Sequence, residues 1–114
     1  MSIKIYHNNR CSKSRCAIDL LNEHNVSYEI IDYLKNVPSK KELKEVLALL
    51  NIPAFDLIRK NEADYKEHFK GKELSDDEWI DAMIQFPKLI ERPIVLNGKK
   101  AVVGRPTEKI ITIL

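Results

Sequence analysis

The sequence predicts an α/β fold: a β-α-β unit, a block of helices, then a β-hairpin and a closing helix. Three observations carry this. The apolar run Ile3-Lys4-Ile5-Tyr6 is followed, after a polar loop, by apolar residues at helical spacing. A second run rich in β-branched and aromatic residues, Val26 to Tyr33, follows one helix later, which suits two parallel strands joined by a right-handed crossover. Near the C-terminus Asn97-Gly98 lies between two apolar runs, the strongest short signal for a hairpin.

Each element has its own justification. Ile3 to His7 reads as a short buried strand. Helix signals begin at Cys11 or Ser12, with Cys16, Ala17, Leu20 and Leu21 as the apolar stripe. His24-Asn25 ends that helix, because Asn tolerates the left-handed conformation of a C-terminal residue. Pro38 closes the unit. Ser39-Lys40-Lys41-Glu42 is a capping box, and Leu43, Val46, Leu47 and Leu50 continue at helical period up to Asn51 and Pro53. The polar stretch from Phe55 to Phe69 predicts short helices over Asp56–Lys60 and Asn61–Lys66. Ser75-Asp76-Asp77-Glu78 is a second capping box, followed by Trp79, Ile80, Met83 and Ile84, with Pro87 as the stop. The hairpin spans Ile94 to Val103. Pro106 opens a last helix whose apolar surface is Ile110, Ile111, Ile113 and Leu114.

The 114 residues suffice for one domain, 1–114, with a helical insertion over about 39–90. The chain is 44% hydrophobic and 32% charged, an ordinary composition for a folded protein. Its 19 basic and 17 acidic residues leave a net charge of +2, too weak for a general nucleic-acid binder, so any positive field is local. No apolar stretch approaches the roughly 20 residues that span a bilayer. Met1-Ser2-Ile3-Lys4 shows no secretory pattern, and two cysteines cannot build a disulfide scaffold, so a cytoplasmic location is expected.

The chemistry concentrates at His7-Asn8-Asn9-Arg10-Cys11-Ser12-Lys13-Ser14-Arg15-Cys16. Cys11 falls where a strand gives way to a helix, among Arg10, Lys13 and Arg15. A helix N-terminus and neighbouring cations both favour a thiolate, the nucleophilic form. The same features attract anions. Cys11 is therefore read as a nucleophile acting on a negatively charged substrate. Cys16, five residues on, points away from Cys11 on a regular helix and is read as a small core residue facing the sheet, not a resolving thiol. Arg92 and Arg105 each sit beside a proline at an end of the hairpin. A hairpin joining the sheet beside the first strand brings at least Arg92 near Cys11. Guanidinium groups suit tetrahedral oxyanions because their donors form a planar fork. His7 reads equally as a strand-end histidine or as a helper beside the thiolate. Ser14 reads as a donor to the thiolate or as a partner of the first helical turn. His24 and His68 read as structural, and the cysteines and histidines lack zinc-ligand spacing. A phosphatase loop needs Cys-x5-Arg, and position 17 is Ala17.

That element order, with a redox-type cysteine after the first strand, resembles the thioredoxin fold. Cys11-Ser12-Lys13-Ser14 has serine where dithiol members have a second cysteine. The run Tyr6 to Arg15, with Leu57-Ile58-Arg59-Lys60, Ile90-Glu91-Arg92-Pro93-Ile94-Val95 and Val103-Gly104-Arg105-Pro106, resembles the glutaredoxin-coupled arsenate reductases over essentially the whole chain. The resemblance implies that Cys11 is the nucleophile, that Arg59, Arg92 and Arg105 hold arsenate, and that Pro93 follows a cis peptide bond next to the cysteine. His7, Ser14 and Arg15 are supporting residues. It also implies glutathione as co-substrate, glutaredoxin as partner, no bound cofactor and no metal, with a monomer expected. Asn9 stands where members often have proline, and a local change in loop stiffness follows. Two other readings share the fold. One is an Spx-type regulator that binds RNA polymerase, which typically carries Cys-x-x-Cys. The other is a general glutathione-dependent thiol oxidoreductase.

Overall fold

Alternation of apolar and polar residues sets the first strand. β1 (Ile3–His7) buries Ile3, Ile5 and Tyr6 and leaves Lys4 exposed. The structure is a computed structural model that describes residues 3–8 and 11–114. The expectations for Asn9 and Arg10 lie outside the described residues, as do Met1 and Ser2. The chain divides into two compact units, Met1–Asn36 with Arg92–Leu114, and Val37–Glu91.

In the first unit, β1 leads to α1 (Ser12–Glu23) and β2 (Tyr28–Asp32). Asn25 adopts φ 54° just past α1, as its residue type predicts. The hairpin strands are β3 (Ile94–Asn97) and β4 (Lys100–Val103). The four-stranded sheet runs β2-β1-β3-β4, with β2 parallel to β1 and the pairs β1–β3 and β3–β4 antiparallel. This is the thioredoxin-like α/β arrangement that the sequence predicts. Ile3, Ile5, Ala17, Leu21, Val95, Ile110 and Ile113 form one apolar core between sheet, α1 and the last helical segment. Each large side chain in it contributes about 1.5–3 kcal/mol by leaving water.

Several boundaries differ from the sequence reading, each for a local reason. The strand predicted over Val26–Tyr33 is shorter at both ends. The hairpin register pairs Asn97 with Lys100, so the turn residues are Gly98-Lys99, not Asn97-Gly98. Gly98 carries the positive φ of 63°, as the first residue of a type II′ turn requires. The last helix is a 3-10 segment, Thr107–Ile113, with Pro106 as its N-cap. A three-residue turn stacks Ile110 over Ile113, both buried, and leaves Ile111 and Leu114 exposed against expectation.

The second unit is helical. α2 (Lys40–Leu50) and a later helix, Asp76–Gln85, both start with the predicted capping boxes, at Ser39/Glu42 and Ser75/Glu78. Between them lie a 3-10 turn, Ala54–Leu57, and α3 (Ala63–His68), each displaced by two or three residues from the predicted short helices. The helix Asp76–Gln85 is α4, and a further 3-10 turn spans Pro87–Leu89. Leu43, Val46 and Leu47 of α2 and Trp79, Ile80, Ala82 and Met83 of α4 are buried, while Ile84 is only half-buried. Among the described residues, no helix is long and apolar enough to cross a membrane.

Candidate active site

Among the described residues, two hydrogen bonds close the loop between β1 and α1. The Cys11 backbone N–H donates to the Asn8 carbonyl at 2.9 Å. The Asn8 backbone N–H donates to the Ser14 hydroxyl at 3.3 Å. Ser14 is fully buried, so its hydroxyl serves the loop. Cys11 is the N-cap of α1, in extended conformation, and its carbonyl accepts the first helical bond from Arg15 at 3.2 Å. The Cys11 side chain makes no capping hydrogen bond, and the first turn of α1 carries no acidic residue. The helix start therefore presents uncompensated positive potential to the sulfur. Cys11 is nonetheless buried, at 8% exposure.

The sheet register brings the hairpin ends to this loop. Tyr6 pairs with Ile94, and Ile94 with Val103, so the end of β1, the start of β3 and the end of β4 share one end of the sheet. Arg92-Pro93 precedes β3, and Gly104-Arg105 follows β4. The Arg92–Pro93 peptide bond is cis, as the sequence resemblance implies, and Arg105–Pro106 is cis as well. Arg105 places Nη2 3.9 Å from the Sγ of Cys11. Its Nε donates to the Arg92 carbonyl at 2.7 Å, which fixes the plane of the guanidinium. The Gly104 N–H donates to the Pro93 carbonyl at 2.9 Å. The residue placed against the Cys11 sulfur is Arg105, and the Arg92 backbone carbonyl holds that Arg105 guanidinium.

His7, at the end of β1, is paired in register with Asp32. Its Nδ1 is buried with no hydrogen-bond partner among the described residues. Burial lowers its pKa from the ordinary 6.5, helped by the charge of Arg15 and opposed by Asp32 and a backbone contact with Ser14. Arg15 itself is exposed. Arg59 belongs to the second unit. Its Nη1 donates to Oε2 of Glu62 at 3.1 Å and to the Lys88 carbonyl at 3.3 Å, and its backbone N–H to the Leu89 carbonyl at 2.7 Å.

Cys16 corrects an expectation. It is exposed rather than packed on the sheet. The buried face of α1 is Ser14, Ala17 and Leu21. Cys16 lies about 100° round the helix from Ala17, outside that face. It lines a shallow hollow with Asp19, Leu20, Glu23, Thr107 and Glu108. One group of possible metal ligands occurs among the described residues: Asp64, Glu67 and His68 on α3 have ligand atoms within 4.8 Å of one another, with Glu67 and His68 exposed.

The model of the ArsC family matches residues 6–113. The chain belongs to the ArsC family. An arsenate reductase of Neisseria meningitidis serogroup B is 42% identical over 114 residues, covering 98% of this chain and 97% of that protein. The uncharacterized protein YfgD of Escherichia coli K12 is also 42% identical, covering 98% and 96%. A solved structure of the arsenate reductase from Vibrio cholerae superposes with a TM-score of 0.95 at 43% identity, covering 100% of this chain and 98% of that one.

Sequence reasoning passed over two parts of this ArsC chain. Asn8 closes the cysteine loop through both its backbone groups. The signal was its place between a strand end and a helix start, where backbone groups lack regular partners. Gly104 is pressed between Pro93 and Ile110, and only its place beside Arg105 in the sequence hinted at this.

Proposed function

We propose that this chain is a cytoplasmic, monomeric arsenate reductase that draws its electrons from glutathione and glutaredoxin, built as a single thioredoxin-like domain with a helical insertion. The observation that carries the reading is the Arg105 guanidinium beside the Cys11 sulfur at a helix N-terminus. That pairing sets a nucleophile and an anion-binding group side by side. Family membership and the names of the relatives supply arsenate as the anion.

In this scheme Arg105 and Arg92 take hold of arsenate and offset its charge. The Cys11 sulfur attacks arsenic(V), an S–As bond forms, and a protonated arsenate oxygen leaves as water. The thiol of glutathione then attacks the Cys11 sulfur. An S–S bond forms, the S–As bond breaks, and its electron pair stays on arsenic, which leaves as arsenite. The two sulfur atoms are the reductant, and Cys11 ends as a mixed disulfide with glutathione. Glutaredoxin returns that disulfide to the thiol. Ser14 and His7 keep the loop in shape, and Arg15 adds positive charge to it. Cys16 has no part in this scheme, since it lies exposed, outside the buried face of α1, in a hollow lined by Asp19, Glu23 and Glu108.

The test is turnover of arsenate with glutathione and glutaredoxin. Wild type and Cys16→Ser are expected to be active and Cys11→Ser inactive. An inactive wild type that still reduces mixed disulfides would assign the chain to the thiol oxidoreductases instead.

A further inference from the structure

The Arg105 guanidinium depends on a tightly packed junction beneath it. Gly104 sits between the end of β4 and the last helical segment. A Cβ built on Gly104 would lie 3.0 Å from Cδ1 and 3.1 Å from Cγ1 of Ile110, and 3.1 Å from Cγ of Pro93. Real Cβ contacts are rarely that close, so something must shift by a few tenths of an ångström. Ile110 is fully buried in the core with Ile5, Ala17, Leu21 and Val95, and Pro93 is a buried rigid ring. Packed interiors of this kind do not yield freely. The residue with freedom to move is the one carrying the new methyl group, on the chain segment that ends in Arg105.

A shift of that segment falls on the hydrogen bonds that place Arg105. The Gly104 N–H is tied to the Pro93 carbonyl at 2.9 Å and the Arg105 N–H to the Val103 carbonyl at 2.8 Å. The Arg105 Nε is tied to the Arg92 carbonyl at 2.7 Å. The contact from Nη2 to the Cys11 sulfur, at 3.9 Å, is already long for a hydrogen bond to sulfur, so a few tenths of an ångström removes it. Gly104 is not in a left-handed conformation, since the positive-φ glycines are Gly71 and Gly98. The demand at this position is for space, not for backbone freedom.

We infer that Gly104 is a positioning residue for Arg105: the missing side chain lets Pro93 and Ile110 clamp the chain so that the guanidinium stands against Cys11. The effect on arsenate rests on the reading that Arg105 grips the oxyanion. The geometric part does not.

Both parts are tested together, in protein carrying Cys16→Ser so that Cys11 is the one thiol. The rate of Cys11 alkylation by iodoacetate, divided by that by iodoacetamide, reports a cation beside the sulfur without any arsenate. Arg105→Ala sets the low end of this ratio. Gly104→Ala is expected to lower the ratio severalfold toward that end, and to raise the KM for arsenate more than it lowers kcat. Adding Ile110→Val, which deletes the nearest atom and leaves Cγ1 at 3.1 Å, is expected to recover part of both losses. A folded Gly104→Ala protein with the wild-type ratio overturns the inference. So does a double variant whose ratio stays at the Arg105→Ala level. Should Gly104→Ala alone fail to fold, the double variant decides by its own ratio, a value between wild type and Arg105→Ala in support and either the wild-type or the Arg105→Ala value against. If Arg105→Ala lowers the ratio but leaves the KM for arsenate unchanged, the oxyanion reading fails while the positioning role stands.

Discussion

Nη2 of Arg105 meets Sγ of Cys11 at 3.9 Å although 94 residues separate the two in sequence. The contact follows from strand order. β1 pairs with β3, and the hairpin folds β4 back on β3, so the chain leaving β4 arrives at the loop that leaves β1. A cation delivered there acts on a sulfur that the start of α1 already exposes to positive potential.

Arg105→Lys keeps the charge and loses the fork. The Nε bond to the Arg92 carbonyl that orients the group cannot be made by an ammonium in the same place. Loss of one such preorganised donor costs about 10²–10³ in rate. We expect kcat/KM for arsenate to fall by about that amount in Arg105→Lys, with the melting temperature little changed. Steady-state kinetics beside a thermal melt check this, and near-wild-type kinetics would remove Arg105 from the mechanism.

The two cysteines should behave as unrelated groups. Cys16 is exposed and Cys11 is buried beside a guanidinium. With glutathione and arsenate, mass spectrometry is expected to find the glutathione adduct on Cys11, and Cys16→Ser is expected to leave turnover unchanged. A Cys11–Cys16 disulfide during turnover would contradict the monothiol scheme.

Ser14→Ala should loosen the catalytic loop from below. The hydroxyl is fully buried and accepts from the Asn8 N–H at 3.3 Å. Loss of a hydrogen bond of this kind costs about 1 kcal/mol. Urea denaturation is expected to show that loss, together with a severalfold fall in kcat/KM as Cys11 loses its fixed place. Unchanged stability would mean that the hydroxyl adds nothing to the loop.

The residues that were legible in the sequence are those whose signals are local. Ser39/Glu42 and Ser75/Glu78 form their capping boxes as read, because that motif is closed within four residues. The β-α-β start and the hairpin were legible from period and turn chemistry. What failed depends on details that period does not encode. Cys16 sits one step round the helix from Ala17, and a coarse apolar stripe does not tell flank from centre. Ile111 and Leu114 are exposed because the last segment tightened to three residues per turn. At the site, the sequence offered Arg92 and Arg105 through their prolines. That the Arg92 carbonyl orients Arg105 required the sheet register.

His7 links the site to pH. Burial lowers its pKa below 6.5, with Arg15 acting in the same sense, and Asp32 and the Ser14 backbone contact offset only part of that. The unfolded chain has the ordinary value of about 6.5. As pH falls through about 6.5, the unfolded state therefore takes up this proton first, and the folded state is destabilised relative to it. The stability that a neutral His7 allows is complete above that pH and is lost on acidification, until the native ring also protonates. His7→Gln has no such titration. Denaturation midpoints at pH 7.5 and 5.5 should fall more in wild type than in His7→Gln, and the two lines should part below about pH 6.5. Parallel lines across that interval would show that the ring keeps an ordinary pKa in the folded protein.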